Sequence, residues 1–200
     1  VNNSCFYREY VLGNDTPEMR ATALVIGQAL QQPFFTEMRT NQQLGYIVWS
    51  YTRSRDETYY LSFVIQSGAF TADDVNQRAD DFIASTPELL TAMDDETFQQ
   101  LKESAIEKLE KKPMSISERA NKLQTFIFEH DADFQRDQKT IAALETLQQS
   151  STVELLSKTL GTDTRRMVNF LMFAEQHENT TGAKGTFNKL KTWKASRSYK

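Results

Sequence analysis

Cysteine, glycine and histidine are scarce in this chain of 200 residues. Cys5 is the single cysteine, so no internal disulfide can form, and its place in an apolar stretch predicts a small buried residue rather than a nucleophile. Seven glycines and the lack of a Gly-rich phosphate turn argue against a Rossmann-type sheet. His130 and His177 are the only histidines, and neither lies in H-x-x-E-H or H-E-x-x-H. We therefore expect structural or solvent-facing roles for both, and no catalytic zinc site.

The chain also lacks long apolar runs and a strong excess of either charge. No stretch approaches the roughly 20 apolar residues that a membrane helix needs, so we expect no membrane span. A formal net charge of −4 argues against the basic footprint of a nucleic-acid-binding protein. From Lys184 onward, however, six basic residues occur without an acidic one. This composition predicts a solvated or loosely docked terminus, or alternatively a contact with an acidic partner or a preceding domain.

Residue periodicity predicts a strand followed by two helices at the start of the chain. Ser4–Leu12 alternates in the manner of an aromatic-rich strand. A helix should then cover Pro17–Leu30, with Thr16 as its N-cap and the proline at its first position. Pro33 should interrupt or restart this helix, and a second short helix should cover Phe34–Gln43.

A hairpin, several helices and a last strand are predicted next. Tyr46–Tyr51 and Tyr59–Gln66 should pair as antiparallel strands through the polar connector Thr52–Thr58. The period then becomes helical, and the runs S-I-S-E and S-T-V-E both fit the capping-box pattern. Helices should begin near five residues, namely Thr71, Asp94, Ser115, Asp133 and Ser151. Met167–Phe173 should form the final strand.

These elements predict an α+β fold, with an antiparallel or mixed sheet backed by helices on one face. Two hundred residues suffice for one compact domain with a sizeable core. We expect that domain to cover residues 1–178, followed by a linker and basic tail over residues 179–200. Because the chain does not begin with methionine, we expect it to be a piece of a longer protein.

The segment Pro33–Ser50 contains the main candidate for a functional site. It reads P-F-F-T-E-M-R-T-N-Q-Q-L-G-Y-I-V-W-S and places Arg39 and Tyr46 on either side of a predicted helix-to-strand turn at Gly45. One interpretation is structural, with an exposed helical arginine and a strand tyrosine that packs. The other is functional, because a guanidinium and a phenol hydroxyl in one cleft could bind a peptide carbonyl and stabilise charge developing on it.

This segment resembles the C-terminal part of the large zinc metallopeptidases of the insulin-degrading enzyme and pitrilysin family, which carry an Arg-Thr-x-Gln-Gln-Leu-Gly-Tyr run. The similarity covers most of the chain; Phe34–Val48 is its specific part, supported by Ile65–Ser67 and Leu109–Pro113. The resemblance implies a LuxS/processing-peptidase-like metallopeptidase fold and the place of a fourth, catalytically degenerate domain. It also implies that zinc is bound by the N-terminal domain of the parent, and that this chain itself carries no cofactor.

The family's substrate-binding arginine and tyrosine match Arg39 and Tyr46, and Phe35 matches an aromatic that lines the pocket just past the scissile bond. The resemblance therefore implies two partners, peptide substrates and the N-terminal catalytic half of the same polypeptide. It also implies that the domain completes the substrate chamber and that the fragment alone does not cleave peptides. Two alternatives stay open, a non-proteolytic assembly domain of the same fold and part of a peptidase that processes a cofactor precursor. A bacterial parent is expected in the periplasm, and any other in the cytoplasm.

Overall fold

A computed structural model of the chain describes residues 2–177, so the predicted linker and basic tail lie outside the described residues. Four strands form one antiparallel sheet in the order β2-β3-β1-β4. Their bounds are Ser4–Asn14 for β1, Ile47–Arg55 for β2, Thr58–Ser67 for β3 and Met167–Met172 for β4. Together with the helices that back this sheet, these strands confirm the predicted α+β class.

Six α-helices lie within residues 2–177. They are α1 (Pro17–Phe35), α2 (Ala72–Thr91), α3 (Asp95–Glu110), α4 (Ile116–Glu129), α5 (Arg136–Thr146) and α6 (Gln149–Leu160). The side chains of Thr16, Thr71, Asp94 and Ser115 each accept a hydrogen bond from the backbone amide three residues later, which confirms these four helix starts. None of the helices in this part of the chain combines the length and apolar content that a membrane crossing requires.

The main core lies between one face of the sheet and the helices α1, α2 and α6. Phe6 of β1 and Phe63 and Ile65 of β3 are fully buried there. Each such side chain stabilises the fold by about 1.5–3 kcal/mol. A second apolar cluster joins the other side of α1 to α3 and α5 around Val25 and Phe98. The helices are thus stacked in two layers on the same face of the sheet.

The opposite face of the sheet is not covered by any described helix, and Trp49 exposes 58% of its surface there. A buried carboxylate, Glu9 of β1, lies in the middle of this face. It accepts hydrogen bonds from the Tyr7 hydroxyl at 2.6 Å, from Arg53 Nε at 3.0 Å and from the Ser62 hydroxyl at 3.1 Å. This network ties the three strands β1, β2 and β3 together through side chains.

Pro33 does not interrupt the first helix, contrary to the prediction. α1 runs through it to Phe35 and continues as a π-helical segment, Thr36–Asn41, so the helix predicted over Phe34–Gln43 is a continuation rather than a separate element. An internal proline costs a helix about 3 kcal/mol. Three side chains spaced one turn apart on this helix are fully buried, namely Leu30, Phe34 and Met38. Their combined burial exceeds the cost of the proline.

The prediction that Ser151 caps the last helix is wrong. α6 begins at Gln149, so the serine lies inside the helix. The Gln149 side chain donates to the carbonyl oxygens of Leu90 and Met93 at 2.7 and 2.8 Å, which fixes the start of α6 against the end of α2. Because this contact joins distant parts of the chain, a local capping pattern cannot predict it. The start of α5 at Arg136 lies close to its prediction.

The hairpin is tighter than predicted. β2 extends to Arg55 and β3 begins at Thr58, so only two residues of the connector predicted over Thr52–Thr58 form the turn. Asp56 and Glu57 have φ values of 48° and 55°, as a two-residue hairpin turn of the mirror-image type requires. The polar end of β2 has the composition of a loop, but Arg53 and Arg55 donate hydrogen bonds from it to the buried carboxylate of Glu9 on β1.

Candidate functional site

Arg39 lies in the π-helical segment that follows α1. The amide of Gln42 donates to the carbonyl of Glu37, five residues back, at 2.9 Å, which is the bond that defines a π-turn. A further bond of 2.9 Å runs from the Leu44 amide to the Met38 carbonyl and closes the segment. Because π-turns in α-helices occur frequently at functional sites, the position of this one supports a role for Arg39.

The Arg39 guanidinium lies over two aromatic rings. Its carbon Cζ lies 5.0 Å from the centre of the Phe35 ring and 4.6 Å from the centre of the Tyr46 ring. Both distances are within the ~6 Å range of cation–π attraction. Phe35 reaches the guanidinium from one turn earlier in the helix, whereas Tyr46 approaches from beyond the turn. The structure therefore brings together all three residues that the sequence singled out.

Gly45 fixes the position of Tyr46. A Cβ atom at Gly45 would lie 1.8 Å from the carbonyl oxygen of Gln66 and 2.8 Å from its carbonyl carbon, so only glycine fits against this strand. Leu44, which precedes Gly45, is buried, and Ile47, which follows Tyr46, is paired with Gln66 in the sheet. Tyr46 is consequently anchored on both sides by its neighbours while 81% of its own surface is exposed.

The polar atoms of this pair remain available to a ligand. Neither the Arg39 guanidinium nor the Tyr46 hydroxyl has a hydrogen bond or ion pair with another group in residues 2–177. A guanidinium offers five N–H donors in a planar fork, and the phenol adds one O–H donor. The arrangement can therefore bind a carbonyl oxygen and favour negative charge that develops on it.

Glu37 braces the π-helical segment through its side chain. Its carboxylate accepts hydrogen bonds from Asn41 Nδ2 at 2.7 Å and from Gln42 Nε2 at 2.8 Å. These bonds, the one from Asn41 first, lower the pKa of Glu37, so the carboxylate is ionised at neutral pH. Gln42 Oε1 in turn accepts from Arg78 Nη1 of α2 at 3.2 Å. These contacts of Glu37 were not predicted from the sequence, although the E-x-x-x-N-Q spacing is a signal for them.

A pocket of about 400 Å³ adjoins the Phe35 ring. It is lined by residues of α1 and β2, namely Gln28, Gln31, Gln32, Phe35, Val48 and Trp49. The lining contains amides and apolar surface and no charged side chain. Gln28 Nε2 is buried without a hydrogen-bond partner in the described residues.

The histidines and the cysteine lie in separate places. His130 is the C-terminal cap residue of α4, and His177 Nδ1 lies 2.8 Å from the Ser4 hydroxyl. Cys5 is partly buried, and burial raises the pKa of its thiol. Within residues 2–177, no three side chains of His, Cys, Asp or Glu are arranged to hold a metal ion. The His, Cys, Asp and Glu side chains of residues 2–177 therefore do not offer the three protein ligands of a catalytic zinc site.

Comparisons with known proteins bear on the same segment. A family model described as "PQQ synthase PqqF-like, C-terminal lobe domain 4" matches residues 25–124, which include the whole π-helical segment and the turn at Gly45. Protease 3 of Salmonella typhi is 27% identical over 136 residues, covering 68% of this chain. Insulin-degrading enzyme of Homo sapiens is 30% identical over 140 residues, covering 70% of this chain.

The fold comparison gives a matching result. The crystal structure of pitrilysin superposes with a TM-score of 0.80 at 21% identity, covering 89% of this chain and 19% of that one. The chain spans 14% of the length of the two curated relatives named above. The similarity therefore concerns one domain of proteins that are several times longer.

Proposed function

Because this chain belongs to the PqqF-like C-terminal lobe domain 4 family, we propose that it is the non-zinc C-terminal domain of a zinc-dependent peptidase. In this proposal the domain completes the substrate-binding chamber, and Arg39 and Tyr46 hold the peptide main chain near the scissile bond. The zinc ion belongs to the N-terminal half of the same polypeptide. The isolated domain binds peptides and does not cleave them.

The unpaired state of the stacked Arg39 supports this role most directly. An arginine retained for stability alone commonly pairs with a carboxylate, whereas Arg39 has no ion pair with any group in residues 2–177. The carboxylate of Glu37, two residues earlier, lies on another side of the helix. Both oxygens of Glu37 are instead engaged by the amides of Asn41 and Gln42. The guanidinium thus keeps its charge and its donors for a group that comes from outside residues 2–177.

The chemistry follows from donors that are aligned before the substrate arrives. In the ground state, Arg39 and Tyr46 donate to a peptide carbonyl oxygen. As negative charge develops on that oxygen, the same donors bind it more strongly, which lowers the barrier. Stacking on Phe35 and Tyr46 restricts the guanidinium plane, so little reorganisation is needed. Phe35 also borders the uncharged pocket, which could accept the next side chain of the peptide.

Turnover of a peptide by the full-length polypeptide tests the proposal. Arg39→Ala and Tyr46→Phe should each lower kcat/KM by about 10²-fold, the effect of losing one oxyanion donor. The chain offers a matched control, since Arg55 also stacks on an exposed-face aromatic, with Cζ 4.9 Å from the Tyr60 ring at the far end of the hairpin. Arg55→Ala and Tyr60→Phe should leave kcat/KM unchanged. Turnover near the wild-type rate in both site variants, with the protein folded, would refute the assigned role.

A further inference from the structure

We propose that Glu37 is a positioning residue for Arg39, because its carboxylate holds the π-helical segment in the geometry that stacks the guanidinium on Tyr46. The inference rests on the proposed function in so far as it assigns Glu37 an effect on turnover. Its structural part, the control of where the guanidinium lies, can be measured without any activity.

The brace is specific for a π-turn. In an α-helix, residues four apart share a face, whereas residues five apart do not. Glu37 nevertheless contacts Gln42, five residues later, through both the main chain at 2.9 Å and the side chain at 2.8 Å. Relaxation of this turn to an α-helix would remove both bonds and rotate the following residue by about 100° around the axis. Arg39 lies inside the braced interval and would move with it.

The brace is connected to the body of the domain. Gln42 Oε1 accepts from Arg78 of α2, and the Arg78 guanidinium carbon lies 5.0 Å from the centre of the Phe70 ring. On the inner side of the same turn, Met38 is fully buried. The π-helical segment is therefore fixed from two directions. The contact of Gln42 with Arg78 holds it against α2, and the burial of Met38 holds it against the core.

Glu37 acts on Arg39 through the backbone, since no ion pair joins them. Residues two apart in a helix do not face each other, so the carboxylate of Glu37 and the guanidinium of Arg39 point to different sides. Both carboxylate oxygens are occupied by Asn41 and Gln42. An ion pair with Glu37 would neutralise Arg39, whereas this arrangement restrains the main chain on both sides of it and leaves its charge available.

A double-mutant analysis in the full-length polypeptide tests the effect on turnover. Glu37→Ala should lower kcat/KM by about tenfold. A misplacement of a binding group by about 1 Å can cost ~10²-fold, and we expect the guanidinium of Arg39 to move by less than that. In an Arg39→Ala background, Glu37→Ala should cause no further loss, since its effect passes through the guanidinium. Gln42→Ala, which removes the other end of the brace, should behave in the same way. The matched control is Glu96→Ala on α3, where Glu96 Oε1 accepts from Gln100 Nε2 at 3.5 Å.

The NMR resonance of the Arg39 Nε–H group in the 200-residue chain gives the readout that is independent of activity. Ring currents of the two stacked aromatics set its position, so Glu37→Ala and Gln42→Ala should shift it, Glu37→Gln should shift it less, and Glu96→Ala should not. A shift combined with no effect of Arg39→Ala on turnover would reject the proposed function and keep the positioning role. An unmoved resonance in folded Glu37→Ala, or an undiminished tenfold loss in the Arg39→Ala background, would overturn the inference.

Discussion

The guanidinium carbon of Arg39 lies 4.6 Å from the centre of the Tyr46 ring, although Arg39 belongs to the π-helical segment and Tyr46 to the connector just before β2. Two features of the backbone create this contact. The π-helical segment determines where Arg39 lies, and the approach of Gly45 to the backbone of β3 determines where Tyr46 lies. Each feature can be perturbed separately.

Gly45→Ala should destabilise the domain by about 1–3 kcal/mol or more, the cost of forcing an extra carbon into a packed site. The new Cβ would meet the carbonyl oxygen of Gln66, a main-chain atom in a central strand, at 1.8 Å. Urea unfolding gives the free energy. Gly68→Ala is the control, because its Cβ would meet only the side-chain oxygen of Asn3, at 2.9 Å, which can move away. Equal stabilities of the two variants would contradict the close approach at Gly45.

Lys102→Met should lower the free energy of unfolding by about 1–3 kcal/mol. Lys102 of α3 is buried, and its Nζ donates to the carbonyl oxygens of Glu145 and Leu147 at 3.2 and 3.1 Å. Methionine keeps the apolar stem but leaves both carbonyls at the end of α5 without this donor. Thermal unfolding should show a lower Tm for this variant, whereas Lys108→Met on the exposed side of α3 should stay within about 0.5 kcal/mol of wild type. A similar loss in both variants would contradict this account.

Glu9 should make the stability depend on pH in the acidic range. Burial on its own raises the pKa of Glu9, but hydrogen bonds from Tyr7, Arg53 and Ser62 outweigh it and lower the pKa below the ordinary 4.5. Since the unfolded chain binds the proton more readily, the contribution of Glu9 is complete above pH 4.5 and is lost as the pH falls through the folded-state pKa. Urea unfolding at a series of pH values measures this loss.

Glu9→Gln should remove that part of the pH dependence and lower the stability at neutral pH. The control is Glu103→Gln, an exposed site on α3, in which the acid-induced loss should persist. An unchanged pH profile in the Glu9→Gln variant would show that this carboxylate is not the group responsible.

Local sequence signals predicted much of the fold because the residues concerned act locally. Thr71, Asp94 and Ser115 cap helices with their own side chains, and the alternation in β1 and β3 reflects a sheet with one buried face. The Phe34–Val48 run also indicated the family, and the match of residues 25–124 to the domain 4 family confirms that resemblance.

The missed features depend on contacts between distant residues. Continuation of α1 through Pro33 is stabilised by burial against the sheet, and the early start of α6 by Gln149 binding to the end of α2. The brace at Glu37 requires a π-turn, and helical periodicity assumes α-helical spacing throughout. The turn at Gly45 left open whether Arg39 and Tyr46 share one cleft, and the structure was needed to show their contact and the unpaired charge.

A double-mutant cycle on Arg39 and Tyr46 in the full-length polypeptide tests the central claim most directly. If both residues hold one peptide carbonyl, each single variant, Arg39→Ala and Tyr46→Phe, should lower kcat/KM by about 10²-fold. The double variant should then fall by about 10²- to 10³-fold rather than by the ~10⁴-fold product, as residues that act as a unit are not additive. Wild-type turnover in the single variants, or a loss in the double variant equal to the product of the two, would contradict a shared role in substrate binding.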